Sequence, residues 1–425
     1  MKPLRKNTAR ALVVAASVMA VGVAVADPAG ASIALGHVVS ANPANFTPNV
    51  ASGAVYKFVQ SNGVMYAGGE FSSVSTASGV SPGGTFTRNN VVAFNPTNGV
   101  INSFASRTNG AVWALAASGG SIYIGGDFTT ANGVARRGLA KVSATTGAID
   151  TAFNANLNGS VKDAAVVSGR LIIAGTFTRQ LRAVNLNSGA DTGYINLPMT
   201  TNLGSNAGAL QMYRFAINPA GTRLVGVGNF TTVGGQTHYR AVQINLGTTS
   251  ATVNPWNYAP LRNGCSAATV PNYLRDVDFS PNGSFFVIVS TGYVPLNGQV
   301  GSSICDAAAR FETNVTNPTR PTWINYTGGD TLHSVAVTDA AVYVQGHQRW
   351  LNNPQGRNSA GPGAVSRPGI GAINPTTGLA NTWNPTKEGG VGGKDLYVTT
   401  RGIWVGSDTN IIGGETHRRI ALMPA

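Results

Sequence analysis

A glycine-rich corner that returns along almost the whole chain constrains its fold more than any other feature. Residues 111–153 read AVWALAASGGSIYIGGDFTTANGVARRGLAKVSATTGAIDTAF. Two apolar runs meet at Gly119-Gly120, and the second ends in Gly125-Gly126-Asp127-Phe128. A polar loop then leads through Arg136-Arg137 to a third run, and a Thr146-Gly147 turn opens a short fourth run ending at Phe153. Short runs rich in β-branched and aromatic residues, joined by two small residues, are hairpin strands. Helix is disfavoured, since each interior glycine costs about 1 kcal/mol and no 3.6-residue apolar stripe survives. The stretch therefore predicts one four-stranded antiparallel sheet.

Such a sheet cannot bury its own faces. Copies that stack do so, and four-stranded repeats of roughly 40 to 60 residues are the pattern of a β-propeller. The corner recurs as Gly68-Gly69-Glu70-Phe71, Ala174-Gly175-Thr176-Phe177 and Val227-Gly228-Asn229-Phe230. It returns in degenerate form at Ser290-Thr291-Gly292-Tyr293, Gln345-Gly346-His347-Gln348 and Val405-Gly406-Ser407-Asp408. With the copy at 125–128 this predicts an all-β, seven-bladed propeller of four-stranded blades. The last repeat stops after its third strand, residues 419–423, while residues 32–46 read as a fourth strand with no blade of its own. Pairing of the two would close the ring and leave no exposed strand edge at the seam.

The other segments fit around this frame. Residues 75–88 are an insertion in the first repeat, residues 199–208 a polar linker before the fourth, and residues 348–367 a long Gly-, Pro- and Asn-rich loop in the sixth. Lys2, Arg5, Lys6 and Arg10 precede an apolar stretch that ends at Ala24-Val25-Ala26, the pattern of a secretory signal over residues 1–26, with an alternative cleavage after Ala31. The remainder, 32–425, is expected to be a single exported domain with no further membrane-spanning run. Four of the 29 basic residues lie in the leader, leaving 25 against 16 acidic ones. That excess is scattered and not interleaved with aromatics, which argues against nucleic acid. Cys265 and Cys305 in an exported chain predict one disulfide, and closing a loop of some 40 residues is worth about 4 kcal/mol in the chain-entropy model.

Candidate sites are few. His347, Arg349 and Trp350 share one stretch and suit a sugar or carboxylate, although a corner histidine is also placed to hydrogen-bond within its own blade. Glu70 and Asp127 occupy equivalent corner positions and are weak metal candidates, through oxygen ligation of calcium; bonding to corner amides is the simpler expectation there. The five histidines lack zinc spacing. An aromatic recurs at the end of the fourth strand (Phe46, Phe104, Phe153, Trp256, Trp323, Trp383); it could stack glycans, but regular recurrence is the mark of a residue filling the wedge between blades. No nucleophile, phosphate loop or carboxylate pair stands out, so no catalytic residue and no cofactor is assigned.

The corner, the arginine before the third strand and the Thr-Gly turn, with Gly346-His347-Gln348-Arg349-Trp350, Trp404-Val405-Gly406-Ser407-Asp408-Thr409 and Val277-Asp278-Phe279-Ser280-Pro281-Asn282-Gly283, resemble the delta-60-type β-propeller repeat proteins exported by actinobacteria. The resemblance spans about 380 residues. It implies an exported propeller and brings no catalytic residues to carry over. The functional expectation is a monomeric binding or scaffolding module, secreted and in some settings cell-wall associated, with a glycan or protein ligand. A carbohydrate-active hydrolase or lyase and a calcium-stabilised adhesion module are the alternatives.

Overall fold

The computed structural model describes Met1 and residues 33–203, 208–266 and 273–425. Apart from Met1, the expected leader with both its cleavage sites lies outside the described residues, as does Ser32. No helix among the described residues is long and apolar enough to cross a membrane. The strands there form seven meandering antiparallel sheets and five small accessory sheets.

The seven sheets, I to VII in chain order, begin with innermost strands Ala54–Ser61, Val112–Ser118, Val161–Val167, Met212–Ile217, Leu274–Phe279, Leu332–Val337 and Asp395–Thr399. Each is followed by a second strand joined through a tight turn. In sheets I to III the turn is Asn62-Gly63, Gly119-Gly120 or Ser168-Gly169, with both residues at positive φ. That conformation matches the twist of the flanking strands and favours Asn and Gly. Innermost strands touch in sequence order, and that of sheet VII also touches that of sheet I. The apolar core lies between sheets in the same order. One cluster joins Phe215, Met212 and Ile172 across sheets III and IV, and another joins Trp404, Ile420 and Leu422 of sheet VII to Val55, Phe58 and Met65 of sheet I.

The corner owes its glycines to close approach. A Cβ on Gly69, Gly126, Gly175 or Gly346 would lie 2.0 Å from the carbonyl oxygen of the residue at or just before the start of the same sheet's innermost strand. A Cβ on Gly68 or Gly125 would strike Val112 or Val161 of the following sheet at 2.6 or 2.7 Å. The phenylalanine that follows (Phe71, Phe128, Phe177, Phe230) is buried. The arginine before the third strand is a clamp: Arg88 donates to the carbonyl of Asn102 at 3.0 Å and Arg136 to that of Thr151 at 2.8 Å. Arg367 does the same to Asn381.

Three expectations are corrected. Among the described residues only sheets IV and V have a fourth strand, Ala251–Val253 and Trp323–Tyr326. In sheets I, II, III and VI it shrinks to one bridge, Phe94 to Ile101, Val142 to Ile149, Val184 to Asp191 and Ile373 to Ala380. An Asx turn ends the pairing there: the side chains of Asn102, Asp150, Asp191 and Asn381 accept the amide two residues on and bend the chain inward. The linker at 199–208 is also more than a linker, because Met199–Asn202 pairs with Phe230–Val233. Similar hairpins, such as Trp350–Leu351 with Val365–Ser366, occupy the loops after the corners.

The N-terminal segment, finally, has its partner without a regular ladder. Ser40 donates to the Pro424 carbonyl at 2.7 Å and Ala44 to that of Leu422 at 2.9 Å. The Thr47 hydroxyl donates to Ile420 at 3.0 Å. Between Ser40 and Ala44 the chain loops out through an Asn42 amide bonded to Ser40 Oγ and through Pro43, which has no amide hydrogen to offer. The expected disulfide between Cys265 and Cys305 is present, with Cα atoms 5.9 Å apart. It ties the segment before sheet V to the loop after that sheet's second strand.

Candidate functional site: the axial mouth

In six innermost strands the register slips by one residue at the first turn of pairing, between Val55 and Lys57, Val112 and Ala114, Val161 and Asp163, Met212 and Arg214, Leu274 and Asp276, and Leu332 and Ser334. A β-bulge leaves one residue unpaired and re-aims its side chain. The bulged residues are Tyr56, Trp113, Lys162, Tyr213, Arg275 and His333, and Lys394 stands just before the innermost strand of sheet VII. Every one is aromatic, cationic or imidazole.

Their contacts show them gathered at one end of the ring of innermost strands. Tyr56 stacks on Trp113 with centroids 4.0 Å apart and planes 15° apart. Lys162 Nζ lies 4.5 Å from the Trp113 ring centroid and 2.8 Å from Asp127. Below them Arg214 donates to the carbonyls of Lys162 at 2.8 Å, Trp113 at 3.1 Å and Tyr56 at 3.4 Å, so one guanidinium spans sheets I, II and III. Around the ring, Tyr213 meets Tyr273 edge to face at 5.4 Å, and the Arg275 guanidinium lies 5.2 Å from the Tyr273 centroid. His333 and His347 have centroids 5.9 Å apart.

One step deeper, Lys57 Nζ lies 3.5 Å from Asp163 and 3.8 Å from Asp395. Each aspartate of this layer also staples two sheets. Asp163 accepts the Phe215 amide at 3.0 Å, Asp276 that of Val335 at 3.0 Å, Asp278 that of Val337 at 2.7 Å, and Asp395 that of Phe58 at 2.8 Å. Burial would depress the Lys57 ammonium, but Asp163 and Asp395 outweigh it and hold its pKa above the usual lysine value. Burial dominates at Asp276 and Asp278 and pushes each up to about 7. Beneath lies a cavity of about 210 Å³ to which all seven innermost strands contribute, through Lys57, Leu115, Asp163, Phe215, Asp276, Val335 and Asp395.

The residues singled out from sequence divide between two places. His347 is at the mouth, where Nε2 accepts the Thr331 amide at 3.1 Å and Nδ1 faces the Val391 carbonyl at 3.3 Å. Arg349 and Trp350 are together on the accessory hairpin of sheet VI, the guanidinium 4.4 Å from the indole and forked onto Asp330 at 2.9 Å through both Nε and an Nη. At the corners, Thr176 and Asn229 bond back to the amides of Ser160 and Gln211. Glu70 instead accepts from the Tyr56 hydroxyl at 3.3 Å, and Asp127 accepts from Trp113 Nε1 at 2.6 Å as well as from Lys162. The repeated aromatics Phe104, Phe153, Trp256, Trp323 and Trp383 are buried, whereas Phe46, at the seam, is only partly so and packs against the core between sheets VII and I. His417 pairs with Glu415 at 3.4 Å and with Thr47 at 3.0 Å, at the seam between the chain ends, where Thr47 is 1% exposed.

The bulged ring itself was missed from sequence. Its signal was available: aligned on their innermost strands, six repeats place a large polar or aromatic residue directly after the apolar residue that opens pairing. Period-two alternation hides this, because a bulge breaks the alternation at that point.

Residues 118–153 match the model of a family described as a domain of unknown function (DUF5122) beta-propeller. The fold is that of a β-propeller repeat protein. The match falls on sheet II, the repeat from which the others were recognised. No curated protein matches the chain. Among solved structures it is similar to the computationally designed protein Ika8, at 9% identity and TM-score 0.49 over 91% of this chain and 100% of that one. It is also similar to the WD40 β-propeller domain of Doa1, at 10% identity and TM-score 0.47 over 88% of this chain and 96% of that one.

Proposed function

We propose that the seven sheets are the blades of one closed propeller, completed at the seam by the N-terminal segment, and that this propeller is an exported binding module seating its ligand over the axial mouth. The fold supports a binding or scaffolding role. The observation that carries the placement is the bulged ring, because a bulge repeated at the same point of six strands turns six large, chemically varied side chains to one end of the axis. A site built on strands in this way is more rigid than one on loops.

The leader and the Cys265–Cys305 bridge support export, since disulfides persist in oxidising compartments. The ligand class favoured by stacked Tyr56 and Trp113, with Lys162 and Asp127 at their edge, is a glycan of the cell surface or its surroundings. For the hydrolase reading, the aspartates nearest the cavity are committed to holding neighbouring blades together. For calcium, Glu70 and Asp127 already face donor groups.

The test is binding of the mature chain to an array of wall polysaccharides and glycans, with and without calcium, for the native protein, Trp113→Ala and the double variant Arg349→Ala/Trp350→Ala. Removing a base-of-site aromatic is expected to weaken binding by about tenfold or more, with the double variant unchanged. Binding lost in the double variant and kept in Trp113→Ala would move the site to the accessory hairpin of sheet VI.

A further inference from the structure

We propose that the sector of the mouth formed by sheets V, VI and VII is an anion-binding subsite, built from Arg275 and Lys394 with His333 between them, and that it takes a carboxylate or phosphate group carried on a sugar or polyol chain. The inference deepens the axial reading and rests on it.

Arg275 carries the argument. Among the described residues no carboxylate lies within ion-pair distance of its guanidinium and no group accepts a hydrogen bond from it, and Nε is buried without a partner. The Tyr273 ring lies 5.2 Å from the guanidinium, and the acid that acts on it, Asp306, does so through space without an ion-pair contact. An arginine held in this way, at a bulge that aims it into a concave mouth, leaves a planar fork of donors whose natural complement is a bidentate anion.

The neighbouring blades add to the same field. Lys394 has only a distant partner in Asp408, at 3.8 Å, and that carboxylate already accepts the amides of Val391 and Gly392 at 3.2 Å each. Burial lowers the Lys394 pKa, Asp408 opposes the shift and Arg275 adds to it. His333 is lowered well below the usual histidine value, first by burial and then by Arg275, Lys394 and His347. Its Nε2 donates to the Val391 carbonyl at 3.0 Å, which leaves Nδ1 as a neutral acceptor beside two cations. Three basic groups crowded against one another, with Asp408 at 3.8 Å from Lys394 as their nearest acid, gain most from an anion placed among them.

Two further observations narrow the occupant. The deeper layer holds four aspartates against Lys57 and Arg214, which keeps an anion at the mouth and out of the cavity. Flanking the subsite are Tyr213 and Tyr273, rings with an apolar face and a polar tip, which suit a sugar or polyol better than the extended backbone of an acidic peptide.

The experiment is calorimetric titration of the mature chain with four probes: oligogalacturonate, its methyl ester, oligomeric glycerol phosphate and poly-L-glutamate. Native protein, Arg275→Gln, Arg275→Lys and Arg349→Gln are compared, with thermal unfolding as the check on folding. Oligogalacturonate or glycerol phosphate, whichever is the source of the anion, is expected to bind and the neutral ester not. Affinity is expected to fall by about ten- to hundredfold in Arg275→Gln, by less in Arg275→Lys, and to weaken with salt in the native protein. Equal binding of acid and ester, or full affinity in a folded Arg275→Gln, overturns the subsite. Preference for poly-L-glutamate over both polyol probes overturns it in favour of an acidic peptide. If neutral glycans bind through Trp113 while no anion does, the axial reading stands and this subsite fails; if nothing binds at the mouth, both fail.

Discussion

The two halves of the mouth use the same bulge to opposite ends. On the side of sheets I to III, the cation Lys162 is neutralised by Asp127 and laid against Trp113, and Tyr56 is tied to Glu70. On the side of sheets V to VII, no described carboxylate is in ion-pair contact with Arg275, and Lys394 has only a distant one. Charges satisfied within the protein add to structure, whereas charges left open at a concave surface are available to a ligand. The comparison therefore separates a half whose charges are spent within the protein, leaving its aromatic faces to a sugar, from a half whose charges are open to an anion, and each can be broken separately.

The largest effect is expected where the satisfied half reaches the deep layer. Asp163→Ala removes the acceptor of the Phe215 amide and the partner of Lys57, leaving a buried cation partly uncompensated. Loss of one member of such a set costs about 3–5 kcal/mol, to be read from denaturant unfolding. A cost no larger than that of a surface substitution would remove the distinction between the halves.

A smaller effect separates the two sets of aspartates. Burial raises Asp276 to about 7, above the value of an unfolded aspartate, so the folded protein holds a proton that the unfolded chain releases. The resulting stability is complete below pH 4 and is lost as pH rises through 7. Asp276→Asn keeps an acceptor for Val335 and removes that titration. Its unfolding midpoint is expected to vary less between pH 4 and 8 than that of the native protein, and at pH 8 the variant should be the more stable by roughly 1 kcal/mol or more. An unchanged pH profile would show that Asp276 is ionised in the fold.

The smallest concerns Lys162. Since Asp127 already compensates it, Lys162→Gln is expected to lower affinity for oligogalacturonate by only about twofold, in line with an exposed pair worth under about 1 kcal/mol. A loss as large as that of Arg275→Gln would mean that the anion bridges both halves.

Much of this architecture was legible in the chain. Gly125-Gly126-Asp127-Phe128 with its copies and the Gly119-Gly120 turn follow from local steric demands that leave a mark on sequence, the Cys265–Cys305 bridge from there being two cysteines, and the meeting of the chain ends from a strand left unmatched at each. The shortened fourth strands were not, because an Asx turn at Asn102 or Asp150 competes with a ladder whose apolar pattern looks intact. Nor were the accessory hairpins, whose strands of two or three residues carry no periodicity. At the mouth, His347, Glu70 and Asp127 were among the sequence candidates, whereas Arg275, His333 and Lys394 were not. His347, Arg349 and Trp350 are adjacent in sequence yet divided between mouth and hairpin, while Arg275, His333 and Lys394 are some 60 residues apart and meet only through the ring.

The most direct measurement is amide hydrogen exchange of the mature chain with and without oligogalacturonate. Protection is expected in peptides around residues 273–277, 331–335 and 391–396, where sheets V, VI and VII present the cationic side of the mouth, with residues 348–367 unchanged. Protection confined to 348–367, or to the outer edges of the sheets, would contradict an axial site.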